Sequence, residues 1–257
     1  MAKEPGPGRI VGVDIGGTGI KGALVDVSEG KLASPRVRLS TPRPATPEAV
    51  AHVVDEVLRQ IDVGGPVGLT VPAVVRGGTV ETASNIDQVW IGVDAVDLFS
   101  RATGRLVAVV NDADAAGLAE VRFGAGRSVD GVIAVITLGT GIGSALVVDG
   151  KLVPNTELGH LPLHHGDAED WAAESIREHD DLSWKEYARR LQDYLELVQR
   201  VIWPQLFIIG GGVSASAHKF LPKIDLRTPI VPAQLLNDAG IIGASMFAAD
   251  VQFATRT

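Results

Sequence analysis

Apolar residues in this chain are grouped in short runs that end at glycine-rich turns. The clearest group, residues 10–26, is apolar on both sides of a tip that contains Gly16, Gly17 and Gly19. Two apolar runs joined by a short glycine turn predict a β-hairpin. Residues 133–149 repeat this pattern at the same spacing. A repeated hairpin predicts a duplicated fold with a cleft between its halves.

Six other segments have apolar residues at helical spacing, and four further apolar runs have the length of strands. The predicted helices are residues 46–61, 94–103, 115–123, 167–180, 183–203 and 240–249. The predicted strands are residues 31–41, at a sheet edge, and residues 67–71, 106–110 and 206–209. Because strands alternate with helices, the fold class is predicted to be α/β.

The length of the chain permits two small domains. It has 257 residues, and 46% of them are hydrophobic, which is enough for a substantial core. We expect a flexible N-terminal arm at residues 1–9, an N-terminal α/β domain at 10–111 and a C-terminal α/β domain at 112–257. The final helix, at about residues 240–250, is small and apolar, so it could pack back on the N-terminal domain.

Composition excludes several classes of function. The chain has no cysteine, which rules out disulfides, thiolate catalysis and Cys-ligated zinc. Its net charge of −8 argues against nucleic acid or an anionic membrane as the main partner. No apolar stretch has the length of a signal peptide or a membrane span, so we expect a cytoplasmic protein.

Three glycine turns follow apolar strands, and each could bind phosphate. Glycine lets backbone N–H groups point into one concavity, and a neighbouring hydroxyl adds a donor. A single such turn is more often an ordinary hairpin, but three at strand ends favour phosphate binding. The candidate phosphate-binding residues are Gly16, Gly17, Thr18, Lys21, Thr140, Gly141, Gly210, Gly211 and Gly212.

Asp14 lies at the mouth of the first turn. A carboxylate there would repel phosphate unless a divalent cation lay between them, so we interpret Asp14 as a Mg²⁺ ligand, acting through water. The alternative is an aspartate that caps its own turn. Lys21 is equally well explained by contact with a phosphate chain and by simple solvation.

Asp112 is the candidate general base. It follows the predicted strand 106–110, and polar groups between a buried parallel strand and a helix commonly form the site of an α/β protein. The alternative is a helix N-cap, a role that Asp114 could also fill. A sugar needs many fixed hydrogen-bond partners, although a lone histidine such as His160 is more often structural. The candidate sugar-binding residues are Asn85, Asn111, Asp112, Glu157, His160 and Glu169.

Five motifs, in this order along the chain, resemble those of the ROK (repressor, open reading frame, kinase) sugar kinases. They are D-I-G-G-T at 14–18, N-D-A-D at 111–114, L-G-T-G-I-G at 138–143, E-L-G-H at 157–160 and G-G-G-V at 210–213. Within ROK, the chain is most similar to the polyphosphate glucokinases of actinobacteria. The segments that carry this are G-T-G-I-K-G at 17–22, V-P-A-V-V at 71–75, N-I-D at 85–87, I-W-P-Q-L-F-I-I-G-G-G-V-S at 202–214 and R-T-P-I-V-P-A at 227–233.

This resemblance implies an actin/hexokinase-like ATPase fold and a glucose kinase that uses polyphosphate, ATP or both, with Mg²⁺. It implies that Asp112 takes the proton of the glucose 6-hydroxyl, while Asn85, Asn111, Glu157, His160 and Glu169 hold the other hydroxyls. Most ROK kinases carry a Cys-rich zinc loop after the E-x-G-H motif; this chain has none, so no structural zinc is expected. Family members are homodimers whose two domains close and exclude water.

Several alternatives stay open at this stage. An acidic chain that binds a polyanion needs a local basic track, for which the candidates are Lys21, Arg76, Arg122 and Lys151. The chain could instead be an ATP-only ROK hexokinase for glucose or mannose, or a non-catalytic sugar-binding module. A ROK-type repressor is disfavoured because the residues before Ile10 are too few for a helix-turn-helix domain.

Overall fold

The computed structural model describes residues 3–83 and 86–254, and these fall into two compact units. The first unit runs to Ala119 and also includes the C-terminal segment from Asp238. The second unit is Glu120–Asn237. The units therefore divide within a helix, eight residues beyond the boundary expected after residue 111.

The first unit is built on a six-stranded sheet with the order β3-β2-β1-β5-β8, in which β4 also pairs with β2. Strands β1, β2 and β3 are antiparallel, whereas β5 and β8 run parallel to β1. Strands β6 and β7 form a separate ribbon. The strands are β1 Arg9–Ile15, β2 Ile20–Asp26, β3 Lys31–Leu32, β4 Val37–Leu39, β5 Val67–Val71, β6 Val75–Arg76, β7 Thr79–Val80 and β8 Val107–Asn111.

The second unit repeats this topology in a five-stranded sheet with the order β11-β10-β9-β14-β15. Again three antiparallel strands are followed by two that run parallel to the first of them. Strands β12 and β13 form a small ribbon. The strands are β9 Val132–Leu138, β10 Ile142–Val148, β11 Lys151–Val153, β12 Pro162–Leu163, β13 Gly166–Asp167, β14 Leu206–Gly211 and β15 Ile230–Pro232.

Eight α-helices accompany these sheets in the described part of the chain. They are α1 Pro47–Ile61, α2 Ala95–Thr103, α3 Asp112–Phe123, α4 Glu169–Ala172, α5 Glu174–His179, α6 Trp184–Ile202, α7 Ala217–Phe220 and α8 Ala239–Ala254. Two of the longer ones, α1 and α6, begin at side-chain caps: the Thr46 hydroxyl accepts from the Ala49 N–H, and Ser183 and Glu186 form a capping box. None of the helices described is both long and apolar enough to cross a membrane.

Each unit has its own hydrophobic core. In the first, buried valines and leucines of the sheet pack with α1 and with Trp90 and Phe99. In the second, α6 covers the sheet with Tyr187, Leu191 and Tyr194, all fully buried. The β1–β2 hairpin therefore contributes to the core of the first unit, and the β9–β10 hairpin contributes to the core of the second.

Helix α8 packs directly on the first sheet, against β1, β5 and β8. Its approach is so close that a Cβ atom on Gly12 or Gly68 would overlap the helix backbone at Ile241 or Ala244. On the helix itself, a Cβ on Gly243 would overlap the Ala115 carbonyl. The glycines at these contacts thus allow the backbone of α8 to pack directly on the backbone of the sheet and of α3.

Within the segment expected to be a flexible arm, Lys3 hydrogen-bonds Asp62 and Gly64 through its backbone. Three sequence predictions differ from the structure. The single edge strand expected at 31–41 is instead the two short strands β3 and β4. Ser34 and Pro35 interrupt it, and the Ser34 hydroxyl accepts a hydrogen bond from the Leu24 N–H. The helix expected at 167–180 is broken at Ala173, which is extended, and helix α3 begins at Asp112 rather than at 115.

Candidate active site

The tip of the first hairpin is fixed by its own backbone. The Gly16 N–H donates to the Gly19 carbonyl over 3.1 Å, and the Thr41 hydroxyl donates to the Gly16 carbonyl. Gly17 and Thr18 are exposed, and a Cβ on Gly17 would meet open space. The structure therefore presents this tip as a rigid, accessible turn of the kind that can hold phosphate oxygens.

Asp14 lies just before this tip with a defined environment. The Thr70 hydroxyl donates to its Oδ1 over 2.9 Å, and the Lys21 Nζ lies 3.6 Å from its Oδ2. Gly240, in the first turn of α8, is so close that a Cβ there would lie 2.8 Å from the same Oδ1. The Asp14 side chain is 19% exposed, so it is a partly buried carboxylate with room on one side.

The second tip, residues 139–141, is held by a residue that the sequence did not indicate. The Ser175 N–H donates to the Gly139 carbonyl, and the Ser175 hydroxyl donates to the Thr140 carbonyl over 2.6 Å. Thr140 is exposed, and a Cβ on Gly139 would meet open space. The Ile142 N–H, just after Gly141, donates to Glu169, so this candidate sugar ligand also supports the turn.

The third glycine turn, residues 210–212, follows β14. Gly211 has φ +82°, and a Cβ there would overlap Leu138 on the neighbouring strand, so only glycine fits. The Glu174 carboxylate lies beside Gly212 and accepts the Val213 N–H. Burial raises the pKa of Glu174, and Glu178 adds to this, while Arg177 opposes it.

Asn111 and Asp112 occupy the junction of β8 and α3. The Asn111 amide is buried; its oxygen accepts the Asp114 N–H over 3.0 Å and its nitrogen donates to the Ala73 carbonyl. Asn111 therefore caps α3, a role that the sequence had offered to Asp112 or Asp114. Asp112 is half-buried, and its Oδ1 accepts the Ala113 N–H over 2.9 Å.

Three of the predicted sugar ligands meet in the second unit. The His160 Nε2 lies 3.7 Å from Glu157 Oε2, and its Nδ1 lies 3.9 Å from Glu169 Oε1. The Nδ1 also bonds Asp167 Oδ2 at 2.9 Å. The sequence did not indicate Asp167, which reaches His160 because β12 and β13 pair as a ribbon. Asn85, the remaining predicted ligand, lies outside the described residues.

The protonation of this cluster is coupled. Burial by itself lowers the pKa of His160, but the hydrogen bond with Asp167 and the charge of Glu169 outweigh it, so the pKa is raised. Burial raises the pKa of Glu157; His160 opposes this and Glu169 adds to it. The cluster thus offers both hydrogen-bond donors and acceptors, as a polyol requires.

Replacing Asp167 with asparagine should lower the pKa of His160 towards its ordinary value of about 6.5. Because the raised pKa stabilises the fold when His160 is protonated, the destabilisation by Asp167→Asn should be largest at acidic pH. It should fade as the pH rises through the folded-state pKa. NMR titration of the six histidines would measure the shift. Asp193→Asn, next to His164, should leave His160 unchanged; an identical His160 titration in wild type and Asp167→Asn would refute the coupling.

Metal ligands are sparse in the described residues. Across residues 3–83 and 86–254, no three His, Asp or Glu side chains form a group that could hold a metal ion by themselves. The single Asp14 carboxylate would suit Mg²⁺, which keeps most of its waters and takes its other ligands from phosphate.

The chain is similar to several known proteins. A family model described as "ROK family" matches residues 10–173. The polyphosphate glucokinase of Mycobacterium tuberculosis is 48% identical over 236 residues, which are 91% of this chain and 89% of the relative. Among solved structures, the inorganic polyphosphate/ATP-glucomannokinase of Arthrobacter sp. strain KM has 50% identity and a TM-score of 0.91, covering 97% of this chain and 99% of that one. A ROK family glucokinase from Streptomyces griseus, in complex with glucose and AMPPNP, has 26% identity and a TM-score of 0.82, covering 95% and 100%.

Proposed function

Because the chain belongs to the ROK family, we propose that it is a polyphosphate glucokinase. The enzyme transfers the terminal phosphoryl group of inorganic polyphosphate, with ATP as a second donor, to the 6-hydroxyl of glucose. The observation that carries this proposal is the 48% identity to a polyphosphate glucokinase over 91% of the chain. The similarity to a polyphosphate/ATP-glucomannokinase supports the two donors and suggests mannose as a second acceptor.

Asp112 is the general base in this proposal. Its carboxylate accepts the proton of the 6-hydroxyl as the oxygen attacks the terminal phosphorus and the bridging oxygen leaves with the shortened donor. The assignment is supported by the contacts at the end of β8. Asn111 caps helix α3, so Asp112 is not needed as the N-cap. Asp112 also lies in the first turn of α3, where the helix favours the ionised carboxylate that a base needs.

The sugar hydroxyls are held by Glu157, His160 and Glu169. The two carboxylates accept hydrogen bonds, whereas His160 is oriented by Asp167, which engages its Nδ1 and leaves Nε2 to face the ligand. Asn85 and Asn111 complete the proposed set, although the Asn111 amide also has the two partners described above.

The glycine tips hold the donor. Gly16, Gly17, Thr18, Thr140 and Gly141 offer backbone and hydroxyl donors to phosphate oxygens, and the turn 210–212 faces the nucleoside when ATP is used. Asp14 would hold Mg²⁺ through water, and the ion would neutralise the negative charge of the phosphates. Lys21, whose Nζ lies 3.6 Å from Asp14 Oδ2, would contact a phosphate bound beside this tip. The working enzyme is a cytoplasmic homodimer.

The proposal is tested by initial rates with glucose and three donors in parallel: long-chain polyphosphate, ATP and pyrophosphate. We expect glucose 6-phosphate from polyphosphate in nucleotide-free buffer, and a second series with mannose reports on the acceptor. Polyphosphate must be freed of nucleotide beforehand, because traces of ATP would mimic the result. Strict dependence on ATP would refute polyphosphate as a donor and would favour the alternative of an ATP-only ROK hexokinase.

A further inference from the structure

Four polar residues form a row across the first sheet, beside the tip of the β1–β2 hairpin. Asp14 on β1 pairs with Lys21 on β2, and Lys21 pairs with Arg38 on β4. Thr70 on β5 joins the other end of the row through its bond to Asp14. Residues paired across adjacent strands project from the same face of a sheet, so these side chains share one face.

Arg38 lies against the tip itself. A Cβ on Gly19 would lie 2.8 Å from the Arg38 Nε and 3.1 Å from its Nη2, so the guanidinium covers the Gly19 backbone. Gly19 is buried, whereas Arg38 is exposed. The guanidinium is therefore a cation held at the glycine tip with one side open to solvent.

The charge of Arg38 is not neutralised locally. Lys21 lies beside Asp14, and Arg36, on the same segment, forms an ion pair with Asp238 at 2.9 Å. Within the described ranges, Arg38 has no carboxylate within 4.0 Å. In a chain with a net charge of −8, this surplus cation beside a phosphate-sized turn makes the tip locally attractive to anions.

We propose that Arg38 binds the polyphosphate chain next to the phosphoryl group that is transferred. The planar guanidinium can form two parallel hydrogen bonds to phosphate oxygens, which an ammonium group cannot match in geometry. This inference rests on the proposed function and adds a residue to it: the sequence had suggested Lys21, Arg76, Arg122 and Lys151 for the basic track, and not Arg38.

Arg38 should matter more for polyphosphate than for ATP. Polyphosphate consists of phosphates alone, so cations and hydrogen-bond donors to phosphate oxygens supply nearly all of its binding energy. ATP also has a nucleoside that can contact protein elsewhere, which reduces the share of each cation. Arg38 is thus a residue that sets donor preference, and its removal should change the ratio of the two KM values.

The first test is Arg38→Gln, measured as KM and kcat for long-chain polyphosphate and for ATP at saturating glucose. We expect the KM for polyphosphate to rise about tenfold or more and the KM for ATP to rise by a smaller factor, with kcat changed less than about twofold. The KM for polyphosphate should also depend less steeply on salt. Arg38→Lys should recover only part of the loss.

The matched control is Arg101→Gln, which removes the same charge from an exposed arginine on α2 that pairs with Asp97. It should leave both donor KM values unchanged. A second variant, Gly19→Ala, displaces the guanidinium without altering its chemistry, because the Cβ would occupy its place. In a double-mutant cycle, Gly19→Ala should raise the KM for polyphosphate in wild type and have much less effect in Arg38→Gln.

The outcomes separate this inference from the proposed function. If the wild type does not use polyphosphate, the proposed function fails. If it does, but Arg38→Gln and Arg101→Gln give the same KM for polyphosphate, only the role of Arg38 is refuted. Equal increases in the KM for polyphosphate and ATP would also refute the donor preference, while an unchanged KM for glucose in every variant would verify that the fold is intact.

Discussion

Asp112→Asn should abolish almost all turnover, lowering kcat by about 10³-fold or more, on the upper side of the usual contribution of a general base. An amide cannot accept the proton of the sugar hydroxyl, yet it keeps the size and one hydrogen-bonding oxygen of the carboxylate. The Ala113 N–H, now bonded to Oδ1, can therefore still be satisfied. Steady-state rates with polyphosphate and with ATP should fall together, because the base serves either donor.

The loss of turnover would have to be separated from a loss of folding. A carboxylate in the first turn of α3 favours the helix by only about 0.3–1 kcal/mol, and Asp114 remains there in the variant. We therefore expect Asp112→Asn to unfold within a few degrees of the wild type. Asp130→Asn, at an exposed loop position, serves as the isosteric control and should keep full activity. Glucose binding, measured by calorimetry, should persist in Asp112→Asn.

Two results would contradict the assignment of Asp112. If kcat fell by less than about tenfold, another group or the solvent would have to accept the proton. If glucose binding disappeared together with activity, the carboxylate would be a sugar ligand first, and its contribution to the chemical step would be unproven.

Most of the fold could be predicted from the sequence because its strongest signals are local. The two hairpins of residues 10–26 and 133–149 form β1–β2 and β9–β10, with tips at the expected glycines. The actin/hexokinase-like ATPase fold and the ROK resemblance, which rested on five ordered motifs, are confirmed by the family model and the solved structures. A glycine-rich turn between two apolar runs strongly favours a hairpin, so the pattern and the structure agree.

The predictions failed where a distant residue decides the local conformation. Residues 167–180 have the composition of one helix, but Ser175 bonds the backbone of the tip at 139–141, and the chain is extended at Ala173 just before it. Nothing in a local window reveals a partner 35 residues away. Similarly, the strand expected at 31–41 is divided because the Ser34 hydroxyl, rather than a backbone carbonyl, accepts the hydrogen bond of the Leu24 N–H on β2.

The candidate site shows the same limit. The sequence predicted Asp14 as a metal ligand and Glu157, His160 and Glu169 as sugar ligands, but not the residues that fix their charge and orientation. Thr70, which bonds Asp14, is 56 residues away along the chain, and Asp167 reaches His160 only because β12 and β13 fold back as a ribbon. Supporting residues of this kind are brought to the site by tertiary packing. A sequence motif can therefore indicate candidate ligands but not the residues that orient them.

Gly68→Ala should be strongly destabilising, because the added Cβ would overlap the Ala244 carbonyl in the backbone of α8. A side chain could rotate away, but a helix backbone packed on three strands cannot move without opening the contacts with β1 and β8 as well. We expect a loss of about 3 kcal/mol or more, at the upper end of what overpacking costs. For a protein of this size that corresponds to a fall in Tm of roughly 6–12 °C, measured by circular dichroism.

The control for Gly68→Ala is the same substitution at Gly64, where an added Cβ would not overlap any atom. A Cβ on Gly64 would lie 3.6 Å from the Lys3 carbonyl, an ordinary contact, and this residue lies in a connecting segment of the same unit. Gly64→Ala should keep the wild-type Tm or raise it slightly, because alanine reduces the conformational freedom of the unfolded chain. Equal Tm values for Gly64→Ala and Gly68→Ala would mean that α8 does not pack on β5 at backbone distance. Since α8 also brings Gly240 against Asp14, a real displacement by Gly68→Ala should further weaken turnover in the molecules that remain folded.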